Sequence, residues 1–127
     1  MEYHDYHLRG YSVRDFGTRL ELDLVYDYEG EEKRESRIEF RDVACYVFTH
    51  TAGAILCFIE EVDVRELVRE ELESLTSFAN QYGLRYWVSD AEQYVSKLLE
   101  ERMKAWRLIS AIGFEGYVIA RDVVGTP

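Results

Sequence analysis

The chain is poor in proline, cysteine and histidine, with one, two and three of each in 127 residues. It is also poor in positive charge, with 15 Lys and Arg against 25 Asp and Glu and a formal net charge of −10. Each shortage narrows the possibilities. Phosphate binding needs clustered Lys and Arg, so the charge excludes nucleic acid as a direct partner. The same deficit argues against anionic membrane surfaces. The longest apolar stretch, residues 52–59, is far shorter than the ~20 residues of a membrane span. The opening "MEYHDYHLRG" has neither a basic n-region nor an apolar h-region, so no secretory signal is expected. Two cysteines without such a signal point to the cytoplasm. Gly-x-Ser-x-Gly, Cys-x-x-Cys and Gly-rich phosphate-loop patterns are all missing, so no nucleophile elbow, redox pair or phosphate cradle is signalled.

Apolar residues make up 47% of the chain and aromatics 14%, including ten tyrosines. A chain of this size buries roughly two-thirds of its unfolded surface, so residues 1–127 are read as one domain. Tyrosine suits half-buried sheet surfaces, where the ring packs and the hydroxyl stays wet.

The first half alternates with period two. In "RLELDLVYDYE", Leu20, Leu22, Leu24, Tyr26 and Tyr28 share one face of a half-buried antiparallel strand. A strand precedes it, ending near Asp15 with a turn at residues 16–18. "RESRIEF" follows, with Ile38 and Phe40 alternating against charges. The segment "VACYVFTHTAGAILCFIEEV" reads as a hairpin, its strands at residues 43–48 and 54–59 covered on both faces around a turn at Gly53. If that turn centres on Thr51, Cys45 and Cys57 oppose each other with Cβ atoms about 4.5–5.5 Å apart, near disulfide reach. In a reducing compartment they are expected as thiols.

The middle changes period. Val64, Leu67, Val68, Leu72, Leu75 and Phe78 form the stripe of one amphipathic helix, with Asp63 and Glu66 at capping-box spacing and Gly83 beyond its end. A second helix follows Ser89 and Glu92, with Ala91, Tyr94, Val95, Leu98, Leu99 and Met103 in one stripe. After it, residues 105–111 read either as a helix extension ending at Gly113 or as a strand. The strand reading makes "GFEG" a turn and residues 117–123 its partner, and aromatic and β-branched content favours it. The fold class is therefore α+β: a mostly antiparallel sheet of about seven strands, with two amphipathic helices inserted before a C-terminal hairpin.

Three groups could carry function. The stretch "YHDYH" holds His4, Asp5 and His7, but a strand sends His4 and His7 to opposite faces, which does not suit one ion. Asp5 is instead expected to accept backbone N–H bonds and fix the strand start. Trp87 and Trp106 could line an aromatic pocket with the tyrosines between sheet and helices, with His50 or His7 as its titrating group, or simply fill the core. The exposed acids Glu29, Glu31, Glu32, Glu66, Glu70 and Glu73 form candidate partner surfaces on a loop and a helix. No catalytic, cofactor-binding or metal residue is assigned.

The segments "HDYHLRGYSVRDFGTRLELDL" and "RLISAIGFEGYVIARDV" resemble the opening and closing segments of small bacterial proteins, some of them similar to immunity proteins of polymorphic-toxin systems. The resemblance covers residues 4–24 and 107–123. It implies a protein that binds and blocks a toxin, and it carries no catalytic residue onto this chain. The lack of a catalytic constellation adds the expectation of a non-enzymatic role, and the acidity that of a basic partner. The alternatives are a small-molecule-binding domain or enzyme with the aromatic pocket, or a homodimer pairing through a sheet edge.

Overall fold

The computed structural model describes residues 2–126, with the side chains of positions 2, 57, 111 and 126 outside that description. Its order is β1 (Glu2–Arg14), β2 (Arg19–Tyr26), β3 (Arg34–Arg41), β4 (Cys45–Val62), α1 (Val64–Glu70), α2 (Leu72–Tyr82), α3 (Ala91–Glu100), β5 (Lys104–Ala120) and β6 (Asp122–Thr126). The strands form one antiparallel sheet in the order β5-β4-β1-β2-β3-β6. α+β is correct, but the strand and helix counts differ from expectation. Among the described residues there are six strands, or eight segments where β4 and β5 are each divided at an interruption, and three helices.

The largest departure is in β4 and β5. Residues 43–48 and 54–59 do not pair as a hairpin; β4 runs through 18 residues, and both of its halves pair with β5. Likewise "GFEG" is no turn, because β5 continues through it for 17 residues. Residues 105–111 are strand, as their aromatic and β-branched content favours. The ribbon is nonetheless not straight. His50 pairs with Phe114 and Ile55 with Ile112, so residues 51–54 of β4 face Gly113 alone. Such unequal lengths force a bend. Gly113 sits at φ 77°, and a Cβ there would lie 2.9 Å from Thr51 Oγ1 and 3.3 Å from Ala54 Cα. The Ser110 hydroxyl braces the bend, lying 2.5 Å from the Ile55 carbonyl and accepting from the Ile112 N–H at 3.0 Å.

How far the ribbon folds back is shown by Arg121, whose Nε donates to the Glu101 carbonyl at 3.1 Å. These residues flank β5, which fully extended would span roughly 55 Å. Arg121 also joins β5 directly to β6, which pairs with β3 from Asp122↔Arg41 to Thr126↔Arg37. The sheet is thus curled, and its two edge strands meet at this corner.

Curling creates two cores. On the inner one, Leu20, Leu22 and Leu24 of β2 and Ile38 and Phe40 of β3 are fully buried, as the alternation predicts. Trp106, Leu108, Phe114, Val118 and Ala120 of β5 close it. Alternate ribbon residues face outward. Cys45, Ala105, Tyr117 and Ile119 pack under Leu67, Val68, Leu75, Tyr94, Val95 and Leu98 of the helices. Asp63 caps α1, its carboxylate accepting from the Glu66 N–H at 3.0 Å. Two helices replace the single one expected over this stripe, because the chain leaves helical geometry at Glu71, and Leu72 is left exposed. Glu70 and Glu71 are held there by Arg107 of β5 at 2.6 and 3.1 Å. Asp90, not Ser89, caps α3, accepting from the Gln93 N–H at 2.9 Å, and Leu99 falls outside the buried stripe. Among the described residues no helix is long and apolar enough to cross a membrane.

Candidate functional site

The bend in β4 has a consequence for β1. The two strands pair at Glu2↔Phe58, Tyr6↔Leu56 and His7↔Ile55, then separate. Residues 8–14 of β1 keep β2 as their neighbour on one side. Among the described residues they have no strand partner on the other, and residues 45–50 of β4 pair only with β5. A second bulge in β1, between Leu8 and Gly10, adds to the divergence. Arg9 is clamped by Asp23, with two contacts of 3.0 Å, and by Glu35 at 3.1 Å. Hydrogen bonding to these carboxylates raises the Arg9 pKa.

Along the parting the strands are bridged by rings, and beyond it the Val43 N–H donates to the Thr18 carbonyl at 2.8 Å. Tyr11 meets Phe48 and His50 edge-on, with centroids 5.3 and 5.6 Å apart, and its hydroxyl lies 3.3 Å from His50 Nε2. Phe48 continues to Phe114 at 5.1 Å. Two clefts lie along the parting. One of about 450 Å³ is lined by Gly10, Tyr11, His50, Gly53 and Ala54. The other, about 260 Å³, lies between Gly17, Tyr46, Phe78, Tyr82 and Leu84.

The inner core stays open on this side. Tyr11 opposes Leu22 and Val13 opposes Leu20, so all four share the inner face. Yet Leu20 and Leu22 are fully buried, whereas Tyr11 and Val13 are 39% and 42% exposed. The apolar line runs on into the β1–β2 turn, where Phe16 is fully exposed. Asp15, Phe16 and Gly17 have φ of 53°, 58° and 88°. The left-handed region is costly for a bulky side chain at position 16. The turn is held by the Thr18 hydroxyl and the Gly17 N–H, which donate to the Asp15 and Arg14 carbonyls at 2.6 and 3.2 Å. Tyr82, at the end of α2, is 80% exposed beside the second cleft.

Of the candidate site residues, His50 lies in this groove. His4 packs toward Phe58 and His7 toward Tyr28, with ring centroids 6.3 and 5.6 Å apart, so the two do not converge. Asp5 acts through its backbone: it sits at φ 66° in a bulge, and its carbonyl accepts from the Tyr28 hydroxyl at 2.7 Å. Trp87 and Trp106 occupy different cores, against Tyr94 and Phe40 respectively, and share no pocket.

Of the acids, Glu31 accepts from the Tyr26 hydroxyl, and Glu66 lies 3.9 Å from Arg69. Glu70 is paired with Arg107, while Glu29, Glu32 and Glu73 are exposed. The loop and helix groups stand on separate elements, and among the described residues no hydrogen bond or ion pair links them.

Cys45 is a free, buried thiol whose pKa burial pushes up to about 12, and it pairs with Ile119 across the ribbon. Positions 45 and 57 belong to the same strand and are not cross-strand neighbours; the Cys57 side chain lies outside the described residues. Among the described residues no group of three or more His, Cys, Asp or Glu side chains gathers as a metal site.

Tyr11, Val13, Phe16 and Tyr82 were not among the residues the sequence singled out. One local signal was available for Phe16: an aromatic at a turn tip where Gly, Asn or Asp is the economical choice. No protein-family model matches the chain, and no curated protein matches it.

Proposed function

We propose that this protein works without catalysis, by binding another protein along the β1 edge and the turn at Phe16. The observation that carries the reading is the exposure of Tyr11 and Val13 on a face whose next strand is fully buried, continuing into a fully exposed Phe16. Large apolar side chains exposed close together in sequence suit an interaction site, and aromatic anchors supply most of the energy at interfaces. A net charge of −10 favours a basic partner and speeds its approach by electrostatic steering. An immunity-type inhibitor of a basic toxin is the specific form of this reading.

The test is affinity capture of the tagged protein from its host lysate at low and high salt, alongside Phe16→Ala and Tyr82→Ala. A basic protein retained at low salt by the wild type and lost by both variants supports the reading. Capture that ignores both substitutions, or no capture at all, overturns it.

A second reading has one observation in its favour: the cleft of about 450 Å³ that brings His50 and Tyr11 together with polar atoms 3.3 Å apart. It suits a small ligand hydrogen-bonding to that pair. A metabolite that raises the melting temperature of the wild type but not of His50→Ala would establish it.

A further inference from the structure

A strand edge offers main-chain donors and acceptors at alternate residues. At residues 8–14 one side of β1 is satisfied by β2, and among the described residues no strand covers the other. Natural sheets protect such an edge with proline, with inward-pointing charge or with a covering element. Here the rings of Phe48 and His50 against Tyr11 and the bulge between Leu8 and Gly10 stand beside it, without proline or inward charge. Residues 8–14 contain no proline, and the inward residues are Leu8, Tyr11 and Val13. A Cβ added at Gly10 would meet nothing within 4 Å.

We infer that the partner supplies an extended segment that hydrogen-bonds to β1 at residues 8–14 and becomes a strand between β1 and the first half of β4. This rests on the protein-binding reading and specifies its mode, β-strand addition. Strand pleating sets the segment's chemistry. Alternate side chains point inward and cover Tyr11 and Val13, so these are apolar. The others point outward beside Ser12 and Arg14 of β1. Glu21 and Asp23 of β2 lie one strand further off and are engaged by Arg14, Arg19 and Arg9, so the overall charge of −10, not a local pair, is what favours Lys or Arg there. A second copy of this chain is disfavoured as occupant, because it brings the same net charge of −10.

The experiment pans displayed random linear peptides of about ten residues, enough to span the edge, against the intact protein at low salt. Five results are expected. Enriched peptides alternate apolar residues with Lys or Arg and lack proline. A synthetic copy slows hydrogen exchange at alternate amides of residues 8–14. A central proline in that copy weakens binding about tenfold or more, through lost main-chain bonds. Val13→Lys, which places a charge on the inward face at a position 42% exposed, abolishes binding of the copy. Val88→Lys, on a distant 78% exposed residue, leaves it intact.

Enrichment of peptides with helical spacing, protection outside residues 8–14, or sizing that shows β1-dependent self-association each overturns the inference. So does a failure to enrich any peptide. If the Phe16-dependent lysate capture still holds, any of these results removes strand addition alone. If the capture also fails, the protein-binding reading falls with it.

Discussion

The two cores are built from different materials. Among the described residues the inner one, inside the curled sheet, fully buries no titratable side chain: Leu20, Leu22, Leu24, Ile38, Phe40, Trp106 and Leu108 are typical of it, with Tyr3, Tyr6 and Tyr46 packed half-buried against it. The helix-side one includes Cys45, Tyr94 and Tyr117, and among the described residues the two buried phenol oxygens find no hydrogen-bond partner. Yet the inner core is the one left unsealed, along β1, while the core that holds the two phenol oxygens is covered by the helices. Burial and completeness are therefore separate properties. A sheet can bury one strand fully and leave its neighbour half open when the next strand turns away.

The sharpest way to break this contrast is to cut into the inner core. Leu22→Ala is expected to cost about 3–4 kcal/mol in urea unfolding, from lost transfer energy plus a cavity. Leu99→Ala, on a residue 52% exposed, should stay within about 0.5 kcal/mol. A loss below about 1 kcal/mol at Leu22 would mean that the open edge lets the core collapse around the gap.

The seam between the cores comes next. Gly116 pairs with Phe48, and a Cβ there would press on the Phe48 ring and lie 2.7 Å from the Val47 carbonyl oxygen. Gly116→Ala should cost about 1–3 kcal/mol, because backbone gives way poorly. Gly10→Ala, into open space, should be close to neutral, both variants being compared by urea unfolding.

The buried hydroxyls sharpen the comparison from the other side. Tyr94→Phe and Tyr117→Phe should leave neutral-pH stability unchanged or raise it by up to about 1 kcal/mol, since no bond is lost. Their signature is alkaline. Burial raises the pKa of Cys45, Tyr94 and Tyr117, so the folded state favours their protonated forms. Stability should be flat below the ordinary values of 9.0 for the thiol and 10.0 for the phenols, then fall as pH rises past them. The double Phe variant should fall less steeply. An alkaline melting profile unchanged by both substitutions would place the sensitivity elsewhere.

The smallest effect is at Phe16. Replacing a fully exposed side chain at φ 58° with glycine relieves left-handed strain, so Phe16→Gly should keep or gain about 0.5–1 kcal/mol while losing partner capture. A large loss of stability would show that the turn serves folding rather than binding.

Local pattern was readable wherever one face of an element is buried. The alternation of Leu20, Leu22 and Leu24, the Asp63 cap and Gly83 at the end of α2 all stand where the sequence puts them. The break at Glu71 was not readable, because no glycine or proline marks it and Arg107 comes from a distant strand. Nor was the candidate groove. Tyr11 and Val13 continue the alternation of buried residues, and nothing in their own segment says that the covering strand has left.

By itself the sequence determined the type of most elements, the faces of β2 and β3, and the acidic surface, since these follow from side-chain period and charge. Tertiary structure alone decided which strand lies beside which. Backbone hydrogen bonds are nearly blind to sequence, so the ribbon "VACYVFTHTAGAILCFIEEV" could pair with itself or with β5 on equal local terms. Pairing with β5 set residues 51–54 against a single glycine. That mismatch exists only once the two strands are side by side. It bends the ribbon, seals one core beneath the helices, and leaves β1 with an edge to offer.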